Sequence, residues 1–217
     1  MHTVLLGKET IYRVGKILCV TRNYRAHAAE LHNKPPEQPV FFLKPASSII
    51  GQGETAVIPR CSNNWQHEVE LAILIGKWGK NISPATALSH VAGYGIGIDL
   101  TLRDLQTDLK NRGLPWSMAK GFDTSCPLSD FTPAERIADP QALDLLLYVN
   151  GELRQQGNSG DMIHSIPALI SAASAIFSLE EGDILLTGTP AGVGPLLSGD
   201  RLRAEIPQLG TLDISIR

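Results

Sequence analysis

Glu68-Val69-Glu70 stands at the head of the apolar run Leu71-Ala72-Ile73-Leu74-Ile75-Gly76, so two carboxylates enter what otherwise reads as a core strand. Side chains alternate faces along a strand, which puts Glu68 and Glu70 on one face a few ångströms apart. Buried charges of one sign cost several kcal/mol or surrender their charge unless something neutralises them. A third carboxylate, Asp99, closes a second apolar and glycine-rich run, Val91-Ala92-Gly93-Tyr94-Gly95-Ile96-Gly97-Ile98. Hard oxygen donors, with His67 the single nitrogen ligand beside them, suit Mg²⁺ or Mn²⁺ with positions left for water or substrate, and argue against structural zinc. An exposed Glu-x-Glu would instead be a solvated strand edge; the apolar run that follows weighs against that reading.

At 217 residues the chain is long enough for one well-buried core and short for two, so a single domain over 1–217 is expected. A net charge of −3 with acids and bases scattered along the chain leaves no basic stripe for nucleic acid and no cationic face for membranes. The expected partner is a small molecule. Met1 to Glu9 lacks the apolar core of a signal peptide, and no run nears the ~20 apolar residues of a membrane span, which predicts a cytoplasmic protein. Cys19, Cys61 and Cys126 are odd in number and widely spaced, as expected of reduced thiols filling small buried positions.

The hydrophobic pattern predicts strands over Lys16–Val20, Val40–Pro45, Ala56–Pro59 and Val69–Ile75, and a short helix over Asn23–Leu31 that Lys34-Pro35-Pro36 closes. Helices are also expected over Ser83–Val91, with Ser83 as N-cap and Pro84 at the first turn, and over Leu102–Arg112, stopped by Gly113-Leu114-Pro115. Asp99 then sits where a strand gives way to a helix. In the second half, Ala142–Val149 and Glu152–Gln155 flank Asn150-Gly151, a turn pair suited to the left-handed positions of a type I′ hairpin. An amphipathic helix over Ile163–Phe177, a strand from Asp183 into a Gly/Pro turn, and a last hairpin of Asp200–Ile206 with Thr211–Ile216 complete the pattern. Strands dominate without a βαβ rhythm, so the fold class is α+β with a mixed, largely antiparallel β core.

Several side chains carry candidate chemistry. His27 and Glu30 are adjacent on a helix surface, where the carboxylate can orient the imidazole and raise its basicity; the plain alternative is a surface ion pair. Arg103, Gln106 and Lys110 recur along one helical face just after Asp99 and could bind a carboxylate, although a solvated face is the default reading. Lys120 lies in a mostly apolar stretch, where a lysine stem ordinarily snorkels to water. Gly188-Thr189-Pro190-Ala191-Gly192-Val193-Gly194 lacks the Gly-Lys-Ser/Thr ending of a phosphate loop, and no Gly-x-Ser-x-Gly elbow occurs, which excludes nucleotide-binding and acyl-serine readings.

Taken in order, these segments resemble the fumarylacetoacetate hydrolase superfamily over nearly the whole chain. The resemblance rests on Cys19-Val20-Thr21-Arg22-Asn23-Tyr24 with His27 and Glu30, Phe41–Pro45, His67-Glu68-Val69-Glu70-Leu71 and Gly97–Gln106. It continues through Gly113–Trp116, Ala119-Lys120, Val149–Gln155 and Glu181–Gly194, and is strongest with the short acylpyruvase branch. One departure is Thr21, where relatives often carry Gly.

The resemblance implies a rolled, barrel-like β core with peripheral helices, usually a homodimer, that holds Mg²⁺ or Mn²⁺ through Glu68, Glu70 and Asp99. It implies a water-activating pair of His27 with Glu30, and Lys120 beside the metal. Substrate-lining positions fall on Arg103, Gln106 and Thr189, and further on Arg22, Tyr24 and Lys44. The implied reaction is hydrolysis of the C–C bond of a 3-acylpyruvate to pyruvate and a carboxylic acid, with decarboxylation of oxaloacetate possible through the same enolate. Isomerisation or tautomerisation of a related diacid needs only the metal and a proton shuttle, and a non-catalytic metabolite-binding module is the alternative outside enzymes.

Overall fold

The computed structural model describes residues 2–31, 34 and 36–217. Its centre is a six-stranded sheet in the order Thr132–Pro133, Val91–Ile98, Val69–Ile75, Ile184–Leu186, Lys16–Val20, Phe41–Pro45. Neighbouring strands are antiparallel except Ile184–Leu186 against Lys16–Val20. The Val69–Ile75 strand is buried at every position. Leu71, Ile73 and Ile75 pack into one hydrophobic cluster, and Ala72 and Leu74 into another on the opposite face, as period-two alternation requires.

A five-stranded sheet in the order Glu152–Asn158, Asp144–Val149, Arg201–Ile206, Gly210–Ile216, Thr55–Ala56 covers the first of those faces. Leu145, Leu147, Leu202 and Ala204 share that cluster with Leu71, Ile96 and Ile98. The hairpin turn between its first two strands has Asn150 at φ 52° and Gly151 at φ 85°, the left-handed pair that the sequence called for. Neither sheet closes into a barrel. The architecture is α+β, with helices Arg25–Glu30, Arg103–Asn111, Ser117–Lys120 and Ile166–Ile176 at the periphery. Among the described residues no helix is long and apolar enough to cross a membrane.

Strand Lys16–Val20 and strand Val69–Ile75 lie where the pattern put them, and Phe41–Pro45 differs by one residue. Three expectations change. The Ser83–Val91 segment is a 3₁₀ turn, Pro84–His90, in which only Ala87 is buried; the Ser83 hydroxyl pairs with Thr86 Oγ1 at 3.0 Å instead of capping a backbone N–H. With one buried side chain there is no apolar stripe to hold longer α turns. Ala56–Pro59 contributes only the end of a two-residue strand, Thr55–Ala56. The helix expected over Asn23–Leu31 spans Arg25–Glu30, so it ends before the Lys34–Pro36 stretch, of which Pro35 lies outside the described residues.

The antiparallel register builds the floor of the site. Val69 faces Ile98 and Glu70 faces Gly97, so the next step brings Glu68 opposite Asp99, joined by Asp99 N–H to Glu68 O at 2.8 Å. The chain packs closely at Gly97: a Cβ there would meet Leu186 Cδ2 at 2.7 Å, so that side chain would have to move. All three cysteines are free; Cys19 and Cys126 are buried as expected, whereas Cys61 is exposed in a turn. Burial pushes the Cys126 thiol up to about 12, which suits an inert filler.

Candidate active site

Glu68, Glu70 and Asp99 are 5 %, 2 % and 1 % exposed, and one oxygen from each lies within 4.8 Å of the others. The cations that answer them are unevenly placed. Lys120 Nζ donates to Glu68 Oε2 at 2.8 Å, to Asp99 Oδ2 at 2.5 Å and to Thr101 Oγ1 at 2.6 Å. Arg103 Nη2 pairs with Glu68 Oε1. Lys44 Nζ lies 2.8 Å from Asp99 Oδ1, off the direction of a hydrogen bond, so that oxygen has no hydrogen-bond donor among the described residues. Among the described residues Glu70 has no cation in contact and accepts only Gly188 N–H, at 2.6 Å.

These placements set the charge states. Burial raises Glu68, but Lys120 and Arg103 outweigh it and hold the carboxyl well below its usual range. Burial, Asp99 and Glu68 together push Glu70 well above its range, so without a further positive charge it keeps its proton. Burial works against the Lys120 ammonium, yet Asp99 and Glu68 prevail and raise it. An undonated Asp99 oxygen beside an uncompensated Glu70, within reach of Glu68, is a donor set that fits a hard divalent cation.

Above this floor, His27 is 5 % exposed and its Nδ1 lies 3.3 Å from Glu30 Oε2, closing the pair that the helix spacing implied. Glu30 is itself tied down by Gly192 N–H, at 3.1 and 3.3 Å to its two oxygens. His27, the three acids, Lys120, Arg103, Gln106, Lys110, Arg22 and Thr189 line one cavity of about 70 Å³. Arg103 is braced there, with Nε donating to Gln66 Oε1 at 2.7 Å and Nη1 to Gln106 Oε1 at 2.6 Å. Arg22, also in the lining, has φ 53°, left-handed for a residue with a side chain.

Two candidates stand behind the cavity instead of in its wall. Lys44 is 1 % exposed, donating to Ser125 O at 2.9 Å and Ser125 Oγ at 3.0 Å as well as flanking Asp99. Tyr24 is 2 % exposed with an unpartnered hydroxyl, and burial with the nearby Glu70 charge raises its phenol.

Gln155 was not legible as a site residue. Its Oε1 accepts Val69 N–H at 3.1 Å and His67 Nδ1–H at 2.9 Å, and its Nε2 donates to Thr189 Oγ1 at 2.8 Å and Pro190 O at 2.9 Å. One buried amide thus ties the carboxylate strand to the Thr189 wall. The sequence signals were an uncharged polar side chain in a strand after Asn150-Gly151 and its place at the end of the Val149–Gln155 segment of the family resemblance, neither of which gave it a role; the bulge opposite Leu147 and Tyr148 sets which face it takes. Burial lowers the His67 imidazole, which fits a neutral ring donating to that amide.

A mixed α+β fold built on two large sheets, with a buried acidic triad, a bracketing lysine and an adjacent His–Glu pair, defines a domain of enzyme type. The chain belongs to the fumarylacetoacetate hydrolase family: the model described as Fumarylacetoacetate (FAA) hydrolase C-terminal matches residues 16–217. It is 49% identical over 190 residues to oxaloacetate tautomerase FAHD1, mitochondrial, of Bos taurus, covering 88% of this chain and 86% of that protein. A crystal structure of fumarylpyruvate hydrolase from Pseudomonas aeruginosa in complex with Mn²⁺ and pyruvate superposes with a TM-score of 0.95 at 36% identity, over 99% of this chain and 94% of that one. The 5-carboxymethyl-2-hydroxymuconate delta-isomerase of Mycobacterium smegmatis superposes with a TM-score of 0.84 at 38% identity, over 94% of this chain and 79% of that one.

Proposed function

We propose that this chain is a Mg²⁺- or Mn²⁺-dependent hydrolase of 3-acylpyruvates, releasing pyruvate and a carboxylic acid. The observation that carries this reading is the His27 imidazole, oriented by Glu30 and sharing one small cavity with the acidic triad and Lys120. Glu68, Glu70 and Asp99 hold the cation, which when bound supplies Lewis-acid stabilisation to a chelating 2-oxo acid. The Pseudomonas aeruginosa relative, a fumarylpyruvate hydrolase in complex with Mn²⁺ and pyruvate, supports both the metal class and the product.

The chain's own groups do the rest. Arg103, Gln106 and Thr189 orient the carboxylate end of the substrate, with Arg22 and Lys110 in the same lining. His27 takes a proton from water, and the hydroxide oxygen bonds to the distal carbonyl carbon. The bond from that carbon to C3 of the pyruvyl unit then breaks, its electron pair stays with the pyruvyl fragment, and C3 regains a proton. Glu30 stabilises the imidazolium, and Lys120 places a positive charge beside the enolate. Tyr24 and Lys44 act from behind, Lys44 by fixing Asp99.

A second reading, tautomerisation of oxaloacetate, is favoured by the 49% identity to the Bos taurus oxaloacetate tautomerase and by the likeness to an isomerase structure. It uses the same cavity and a proton shuttle without an attacking water. Chelator-stripped protein, assayed on acetylpyruvate and on oxaloacetate with and without Mg²⁺ or Mn²⁺, separates the two. Metal-dependent pyruvate release from acetylpyruvate, lowered by about 10²- to 10⁴-fold in His27→Ala with the metal-induced melting shift retained, is the expected result. Decay of the oxaloacetate enol with no pyruvate from either compound would replace hydrolysis with tautomerisation. We also propose a cytoplasmic homodimer, for which sedimentation equilibrium at twice the chain mass is the check.

A further inference from the structure

The catalytic cavity has a neighbour. An open apolar groove of about 470 Å³, walled by Val40, Leu43, Leu114, Pro115 and Phe177, runs alongside it. Thr21, Phe42 and Trp116 line both spaces and so form the partition between them. Phe42 and Trp116 are braced against each other, with ring centroids 6.2 Å apart and planes inclined at 59°. Phe42 is further committed to the site by the Lys120 ammonium 5.1 Å from its ring centroid. Thr21 is the one small member of the wall.

The Thr21 side chain is placed to be a partition and little else. It follows the last residue of strand Lys16–Val20, and its backbone N–H is spent on Val40 O at 2.9 Å. The residue is 7 % exposed, yet its hydroxyl has no hydrogen-bond partner among the described residues. A buried hydroxyl without a partner is a net cost to folding, so what Thr21 contributes is the volume of its two branches.

We propose that Thr21 is a specificity-determining residue: its side chain closes the catalytic cavity off from the apolar groove and restricts the ligand to 2-oxo acids with short tails. With the carboxylate end drawn to Arg103, Gln106 and the triad, the tail is left to the rest of the lining of a 70 Å³ cavity, which includes Thr21 and the partition. Removing Thr21 opens a path for an apolar chain into a groove roomy enough to take it. This assignment of the two ends rests on the 2-oxo-acid reading of the site.

Calorimetric titration of the Mn²⁺-loaded protein with pyruvate and with 2-oxooctanoate tests it without depending on which reaction is catalysed. For the native chain, pyruvate is expected to bind and 2-oxooctanoate to bind no better. Thr21→Ala is expected to improve the 2-oxooctanoate-to-pyruvate affinity ratio by about tenfold or more, as several methylenes leave water. Thr21→Val keeps the wall while removing the hydroxyl, and is expected to leave the ratio unchanged; Thr21→Ser, a milder truncation, should move it in the direction of Ala. Pyruvate binding with the same ratio in native, Ala and Ser proteins of native melting temperature overturns the partition alone. A change in Thr21→Val as large as in Thr21→Ala overturns it in favour of the hydroxyl. Binding of neither acid to any of the metal-loaded proteins overturns the 2-oxo-acid reading and the partition with it.

Discussion

Glu70 differs from its two acidic neighbours in one respect: among the described residues no side-chain cation touches it, and a single N–H from Gly188 is its whole support. Its carboxyl lies well above the usual carboxylate range, through burial and the charges of Asp99 and Glu68. The sign of the consequence is fixed. In metal-free protein the retained proton stabilises the fold below the unfolded value, and that contribution fades as pH rises through the raised one. A divalent cation needs the carboxylate and competes with the proton, so the rise in melting temperature on adding Mn²⁺ should grow from pH 5 to pH 8. Glu70→Gln should abolish most of that rise; a full, pH-independent shift in the variant would remove Glu70 from the ligand set. Lys120 makes the opposite test. Lys120→Met leaves Glu68 and Asp99 facing one another without their shared ammonium, which should cost about 3–5 kcal/mol in stripped protein and be partly recovered by Mn²⁺. The triad was readable because acids inside apolar runs have few explanations. Lys44 was readable only as a charge: sequence gives no direction for a long side chain, and this one points behind Asp99 to Ser125.

The turn that follows strand Ile184–Leu186 works as a clamp on the helix Arg25–Glu30. Gly192 has φ 97°, and a Cβ there would meet Arg154 O at 2.2 Å, while its N–H holds Glu30. Gly192→Ala should therefore cost at least about 1–3 kcal/mol from backbone strain, roughly 2–4 °C per kcal/mol at this chain length, and should lower hydrolysis beyond the stability loss because Glu30 is released from His27. Native turnover at reduced melting temperature would deny the clamp a role in the site. Gln155 is the corresponding joint on the other side; Gln155→Leu strands Val69 N–H, His67 and Thr189 Oγ1 together, and a loss near 1–3 kcal/mol is expected by chemical denaturation. Elements were legible where periodicity and turn chemistry agreed, as at Asn150-Gly151 and Val69–Ile75. They were not where support is tertiary. The strands Thr3–Leu6 and Thr10–Arg13 pair with each other across Gly7 on too few residues to show a period. The strands Trp65–His67, Thr101–Leu102 and Gly194–Leu196 form a sheet whose partners are far apart in the chain.

At the scale of the whole molecule, the site exists because segments remote in sequence meet at one end of the central sheet. Helix Arg25–Glu30 supplies His27, strand Val69–Ile75 and the residue before it supply the glutamates, the end of Val91–Ile98 supplies Asp99, and the turn after Leu186 supplies Thr189. The same strand Val69–Ile75 feeds both hydrophobic clusters, Leu71, Ile73 and Ile75 into one and Ala72 and Leu74 into the other. A sheet buried on both faces by two different partners leaves no plane along which one half could detach cheaply, since baring either face exposes continuous Leu, Ile and Val surface. The chain should therefore unfold as one unit. Trp65, 2 % exposed beside Phe122 at 6.0 Å between ring centroids, reports on the packing near the site, and far-UV dichroism reports on the sheets as a whole. Urea titrations of Trp116→Phe protein, whose fluorescence comes chiefly from buried Trp65 and exposed Trp78, should give superimposable midpoints by the two probes. A fluorescence transition that precedes loss of dichroism by a distinct step would mean that the three-stranded sheet holding Trp65 is a separable unit and that the site opens before the fold is lost.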